Sequence, residues 1–317
     1  MKIEPKILSV VITYNALQRN WLYKCLASLE NSVLKTDIFV VDNFSPDGTA
    51  REIEQKFPNV KLIKSEENLG FAKGNNLGFK KAIEENYDFI FLLNQDAWIT
   101  ETTIANLVNA QLKNEEFGIL SPIHYNGEGD NLEELFAVFL LRHQGQGRKF
   151  YFDHIDGNFL QEIYNITYMH AACWLISRKC FTKVGFFDDI LFRQYGEDDN
   201  YISRARYFDF KIGIVSKAVF YHDTEYRKTK KTKHSFDNSL LEFNVAGANI
   251  ADENAINTID RMISSEKSKA LYYLKRLNFI KYKEHRKFYL LKMKQKGIIV
   301  KQRNNYLTGY VSSNLPF

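Results

Sequence analysis

Through the first hundred residues, short apolar runs alternate with longer segments whose apolar side chains recur every three or four positions. Few architectures tolerate that alternation. Ile7 to Ile12 is apolar except at Ser9, the pattern of a parallel strand covered on both faces. Trp21, Leu22, Cys25, Leu26 and Leu29 then share one face of a helix. Ile38 to Val41, Val60 to Ile63 and Phe89 to Leu93 repeat the strand pattern. Between them, the turn Ser45-Pro46-Asp47-Gly48 opens a helix with Ile53 and Phe57 inward, and Phe71 to Asn86 reads as a longer helix. Ile104, Leu107, Val108 and Leu112 mark one more. A βαβαβαβ order predicts an α/β fold: a Rossmann-like, doubly wound, mostly parallel sheet flanked by helices, with right-handed crossovers.

In such a sheet, ligands occupy the crevice at the carboxyl ends of the strands, so the residues just past each strand report on the site. They are Thr13, Tyr14 and Asn15; Asp42 and Asn43; Glu66 and Asn68; and Asn94, Gln95 and Asp96. Every exit is polar, and two carry a carboxylate directly after an apolar strand. An acid so placed is costly unless it meets water, a ligand or a cation.

From His124 to Tyr168 the pattern loosens around Gly127, Gly129, Gly145 and Gly147, with one helix-like stretch from Leu132 to Leu141. A segment of this kind is expected to form a binding loop or lid. Order resumes at Ala171 to Ile176. The acidic cluster Glu197-Asp198-Asp199 leads a helix containing Ile202, Ala205 and Phe208. Strands at Ile212 to Val215 and Ala218 to Tyr221 run up to His222.

Several chemistries are excluded by what is missing. No G-x-G-x-x-G follows a strand and no G-x-x-x-x-G-K-[ST] occurs; Gly70-Phe71-Ala72-Lys73-Gly74-Asn75-Asn76 fits neither. No Gly-x-Ser-x-Gly elbow is present. Cys25, Cys173 and Cys180 form no CxxC pair, and no Cys/His cluster in the sequence signals zinc; they read as buried thiols in a reducing compartment. A carboxylate site without a phosphate-cradling loop remains. A divalent cation held by one or two protein ligands neutralises a leaving diphosphate well. Asp96 is suited to hold one, with His222 as a candidate second ligand. Glu197 and Asp198 suit a general base, although acids at a helix start also complement its dipole.

These segments resemble a known family. Val10-Val11-Ile12-Thr13-Tyr14-Asn15, Val41-Asp42-Asn43-Phe44-Ser45-Pro46-Asp47-Gly48-Thr49, Asn68-Leu69-Gly70-Phe71-Ala72-Lys73-Gly74-Asn75-Asn76 and Leu92-Leu93-Asn94-Gln95-Asp96-Ala97 occur in the order typical of family 2 inverting glycosyltransferases. Trp174-Leu175-Ile176, Lys183-Val184-Gly185-Phe186-Phe187-Asp188, Tyr195-Gly196-Glu197-Asp198 and Arg204 extend the likeness, which is nearest the rhamnosyltransferase-like branch. The resemblance implies a GT-A type fold and transfer of a sugar from a UDP- or dTDP-linked donor to a hydroxyl of a glycan or lipid-linked acceptor. It implies a Mn2+ or Mg2+ cofactor at Asp96 and His222, with Asp198 as catalytic base beside Glu197. Thr13 and Asp42 match positions that contact the nucleoside. Asn15, Asn43, Asn68, Gly70 and Asn94 complete the expected nucleotide-binding set, and Trp174 is expected near the sugar and acceptor pocket. The metal motif departs from the family's Asp-x-Asp by reading Asn-Gln-Asp. That departure leaves one rival, a non-catalytic binding relative that kept the fold. A nucleotidyltransferase would carry a glycine-rich signature where Val-Ile-Thr-Tyr-Asn stands.

Residues 1–223 are thus expected to form the catalytic domain and residues 224–317 a separable, basic, mainly helical C-terminal extension. From Glu266 to Arg303 there are thirteen Lys/Arg against two Asp/Glu, whereas the rest of the chain carries 30 against 36. Leu271, Leu274, Leu277 and Ile280, interleaved with Lys275, Arg276, Lys281 and Lys283, suit either packing on the catalytic domain or peripheral contact with an anionic membrane. No nucleic-acid module is recognised. With neither a secretory signal nor an apolar run long enough to span a bilayer, the sequence predicts a cytoplasmic protein.

Overall fold

The computed structural model describes residues 4–142, 145–193, 195–224 and 235–309. The predicted alternation folds as β1 (Ile7–Thr13), α1 (Trp21–Glu30), β2 (Asp37–Asp42), α2 (Thr49–Lys56), β3 (Lys61–Lys64), α3 (Gly70–Glu84) and β4 (Phe89–Leu93). The middle of the chain supplies β5 (Ala97–Ile99), α4 (Thr103–Lys113), β6 (Phe117–Asn126), α5 (Glu134–Arg142), α6 (Gly147–Ile155), β7 (Ile163–Ile166) and β8 (Cys173–Ser177). After it come α7 (Arg178–Val184), α8 (Glu197–Tyr207), β9 (Lys211–His222) and the helices α9 (Ser235–Ala248), α10 (Ala255–Lys275) and α11 (Phe279–Tyr306).

One nine-stranded sheet runs in the order β3-β2-β1-β4-β8-β6-β9-β5, with β7 also paired to β9. Strands β1, β2, β3, β4, β6 and β9 point one way and β5, β7 and β8 run against them. The sheet is therefore mostly parallel, but the antiparallel β8 divides a parallel half from a mixed one. Along β1, Leu8 and Val10 enter the cluster shared with α3, α7 and α8, while Ile7 and Val11 enter the one shared with α1 and α4. That period of two, buried on both sides, is why the run reads as continuously apolar.

Gly74 and Gly78 of α3 serve packing. A Cβ at Gly78 would lie 2.5 Å from Val10 Cγ2 and one at Gly74 3.2 Å from Ile12, so α3 seats directly on β1. Asn76 then clamps the Phe187 backbone, donating Nδ2–H to its carbonyl and accepting its N–H at Oδ1, both at 2.9 Å. Arg204 is fully buried. It donates to the carbonyls of Val184 and Phe186 and to Asn200 Oδ1, which fixes α8 to the segment after α7.

One expectation changes. The two short strands before His222 are one strand, β9, with extra residues looped out between its pairings to Ser121 and Ile123. The C-terminal helices pack into the core of the preceding part. The expected boundary adjoins residues 225–234, which lie outside the described residues, but Phe243, Ile259, Ile263, Ile299 and Tyr306 join the core cluster of β1 and α3. Asp188 ties the two parts together. Its Oδ1 accepts the Ile190 and Leu191 amides, and its Oδ2 accepts from Gln302 and the Tyr306 hydroxyl of α11. The physical reason is that Tyr306 and Asp188 satisfy each other in a buried setting, where either alone would be costly. Cys25, Cys173 and Cys180 are buried and unpaired. Among the described residues, no helix is long and apolar enough to cross a membrane.

Candidate active site

A cleft of about 680 Å3 opens at the carboxyl ends of the parallel strands. The loops after β1 and β2 are knitted by side chains that the sequence reading assigned to ligand. Thr13 Oγ1 donates to Asp42 Oδ1 at 2.9 Å, Ser45 Oγ donates to the same oxygen, and Ser45 N donates to Asp42 Oδ2. Asn15 N donates to Ser45 Oγ. Both Asp42 oxygens are thus occupied within the chain, and Thr13, Asn15 and Asp42 stand behind the cleft wall. Asn43, Asn68, Gly70 and Asn94 line it. Asn43 joins the loops, accepting the Leu69 amide and donating to the Gly70 carbonyl.

Gln95, the middle residue of Asn-Gln-Asp, has work of its own. It accepts the Tyr14 amide at 2.6 Å and donates to the Tyr14 carbonyl at 3.0 Å. The adjacent Asp96 lies at the turn into β5. Because β5 pairs antiparallel with β9 in the register Ala97↔His222, His222 arrives beside it, and Asp223 N donates to the Asp96 carbonyl. Asp223 in turn accepts from Arg19 Nε at 2.8 Å and Trp21 Nε1 at 2.9 Å, pinning the end of β9 against the start of α1.

His222 Nε2 lies 3.4 Å from Asp96 Oδ1, with both side chains almost completely buried. Neither ring nitrogen of His222 makes a hydrogen bond. A buried imidazole left so, facing a carboxylate oxygen, is costly by itself. The pair fits a divalent cation that keeps its other positions for oxygen ligands of a bound substrate and for water.

Across the cleft, Gly196 caps α8 and the trio Glu197-Asp198-Asp199 fills its first turn. Asp198 Oδ1 accepts the Asp199 amide at 2.9 Å and Oδ2 accepts from the Tyr168 hydroxyl at 3.2 Å. Burial, then the Asp198 charge, pushes the Glu197 and Asp199 carboxyls well above the usual carboxylate range. Burial and the nearby acids likewise push the Tyr168 phenol up, so it stays a hydrogen-bond donor.

Asp96, Glu197, Asp198 and His222 therefore share one cleft. Trp174 does not reach it. On β8 opposite Leu92, it is fully buried beside Phe187 and Tyr201, because the strand's alternation turns its large side chain into the core. Tyr168 and His170, from the loop before β8, and Leu241 and Val245 of α9 also line the cleft, outside the residues singled out in the sequence. Nothing in their local sequence sets them apart; only the fold brings them to the wall.

A family model for glycosyl transferase family 2 matches residues 9–185. The low-salt glycan biosynthesis hexosyltransferase Agl10 of Haloferax volcanii is 24% identical over 77% of this chain and 79% of its own. TarS of S. aureus, solved with UDP-GlcNAc, superposes with a TM-score of 0.54 at 15% identity, covering 90% of this chain and 92% of that one. GalNAc-T7, solved with UDP, GalNAc and Mn2+, gives a TM-score of 0.53 at 16% identity over 70% of this chain. The match spans 44% of the GalNAc-T7 chain. Both structures share the fold described above.

Proposed function

From membership of glycosyl transferase family 2, to which the chain belongs, we infer that it moves a hexosyl or deoxyhexosyl group from a nucleoside-diphosphate sugar to a glycan or lipid-linked hydroxyl, with inversion. The observation that carries this reading is the convergence of Asp96 and His222 with the acidic start of α8 on one cleft. Asn43, Asn68, Gly70 and Asn94 form the nucleotide side. Thr13, Asn15 and Asp42 act behind them by holding the strand-exit loops in shape.

Asp198 takes the proton of the acceptor hydroxyl while its oxygen attacks the anomeric carbon and the bond to diphosphate breaks. Tyr168 and the Asp199 amide orient the Asp198 carboxylate for that transfer. Asp96 and His222 would hold a Mn2+ or Mg2+ ion, which when bound offsets the charge of the leaving diphosphate. Attack from the side opposite the leaving group inverts the anomeric centre. UDP and dTDP donors, which the family likeness suggests, are the first to test. Asp198→Asn is expected to lower kcat at least a thousandfold, on the order of general-base removal, and to leave donor affinity by calorimetry within about twofold. Transfer persisting within tenfold of wild type would remove Asp198 as the base.

The hairpin between α10 and α11 supports peripheral membrane contact. Ile280 is 84% and Leu277 73% exposed at its tip, with Phe279, Leu271 and Tyr272 also outward. Lys275, Arg276, Lys281 and Lys283 surround them. An apolar tip ringed by cations is complementary to an anionic bilayer surface, where lipid-linked acceptors reside.

A further inference from the structure

We propose that His124, Glu133 and His170 form a second metal site, for a zinc-class divalent ion, in the wall of the cleft beside the Asp96–His222 pair. The three belong to different elements: His124 to β6, Glu133 to the turn into α5, and His170 to the loop before β8. Their ligand atoms nevertheless all lie within 4.8 Å of one another.

The protonation of His124 follows from its partners. Its Nε2 lies 2.8 Å from Ser121 Oγ, and that hydroxyl gives its single proton to the Cys173 carbonyl, also at 2.8 Å. Nε2 must then be the N–H, donating to Ser121. The ring is fully buried between Phe136 and Phe220. Enclosed by these rings, it has no acceptor for a second N–H. Its Nδ1 therefore carries a bare lone pair, and that atom has no hydrogen-bond partner. An unsatisfied basic nitrogen at zero exposure is an exception that needs a reason.

The other two donors supply one. Glu133 is 1% exposed; its Oε2 accepts the Phe136 amide and sits 3.0 Å from His170 Nε2. The Glu133 carboxyl thus already faces the His170 ring inside a buried wall. Ligands about 2.0–2.2 Å from a tetrahedral ion stand roughly 3–3.5 Å apart, which the Glu133–His170 pair already satisfies. Movement of His124 on the order of an ångström would close the set.

Two imidazoles and one carboxylate favour Zn2+ over Mg2+ or Ca2+, which prefer oxygen. The fourth position would face the cleft, which Glu133 and His170 line. Such an ion would staple the loosely patterned segment 127–170 to the sheet. It would also fix Tyr168, two residues before His170, against Asp198. The site does not depend on the proposed transfer reaction.

The test uses the full chain, freed of metal by chelator dialysis and titrated with Co2+ and Zn2+ under visible absorption and elemental analysis. The double variant Asp96→Asn/His222→Ala is expected to keep one tightly bound ion with its Co2+ spectrum. His170→Ala and Glu133→Gln should each weaken that ion at least about 100-fold. Glu133→Gln preserves size and carries the test alone if His170→Ala does not fold. An Asp96→Asn/His222→Ala protein that binds neither Co2+ nor Zn2+, or undiminished binding in Glu133→Gln, overturns the proposal.

Discussion

Substituting alanine at Gly196 tests whether the C-terminal helices set the catalytic helix in place. Gly196 has φ +85, and a Cβ there would lie 2.9 Å from Leu241 Cδ1 and Val245 Cγ2 of α9 and from Phe192 Cδ1. Gly48, which caps α2, has nearly the same backbone, φ +89, but nothing lies within 4 Å of its Cβ position. A left-handed backbone costs an alanine about 1–2 kcal/mol, and Gly48→Ala should lose only that. Overpacking adds about 1–3 kcal/mol, so Gly196→Ala should lose about 2–5 kcal/mol. Urea unfolding followed by tryptophan fluorescence measures both, with Gly48→Ala as the reference for backbone cost. Because Glu197 and Asp198 follow Gly196 directly, relief of the overlap by moving α8 should also lower kcat by about tenfold or more. Equal destabilisation by the two variants, or a wild-type kcat in Gly196→Ala, would refute the coupling between α9 and α8.

Two further outcomes follow from the charges. Glu197 and Asp199 have folded pKa values raised above their unfolded ones, so the native state holds the extra protons. Their stabilising contribution is complete below about pH 4 and is lost as pH rises through the raised values, at up to about 1.4 kcal/mol per pH unit for each group; Glu197→Gln should flatten urea-measured stability between pH 5 and 8, and an unchanged slope would contradict this. Co-sedimentation with vesicles containing phosphatidylserine should drop at least tenfold in Leu277→Asp/Ile280→Asp while transfer to a soluble acceptor persists. Equal sedimentation would exclude the hairpin tip as the contact.

The parallel half of the fold is legible in the sequence because β1, β2 and β4 are local, largely apolar and closed by a polar exit. Phe89 to Leu93 matches β4 end to end. The mixed half is less legible, since β5 has three residues and β7 four, too few for periodicity to declare itself. Asp96, Glu197, Asp198 and His222, which share the cleft, stand out in the sequence because acids and a histidine at element ends are conspicuous. Thr13 and Asp42 are as conspicuous at the strand exits, yet Thr13 spends its hydroxyl on Asp42. The inward turn of Trp174 is not legible, because composition says nothing of which face a strand turns inward. His124, Glu133 and His170 left no trace, since their proximity depends on pairing of β6 with both β8 and β9. The tail's basic charge was plain. Its attachment through Asp188 and Tyr306 was not, because a buried partner elsewhere in the chain has no local signature.

The position of β9 bears on how the molecule assembles. It lies between β6 and β5 and also carries β7, although it comes after all of them in the chain. Until it arrives, a slot stands open in the middle of the mixed half, with unpaired backbone on both sides, a condition that slows folding and invites association between chains. The parallel strands β1 to β4 can meet through near-neighbour contacts well before then. Since the last residue of β9 is His222, insertion of that strand and completion of the Asp96–His222 pair are one event. A nascent or refolding chain brings His222 to Asp96 only when its sheet is whole.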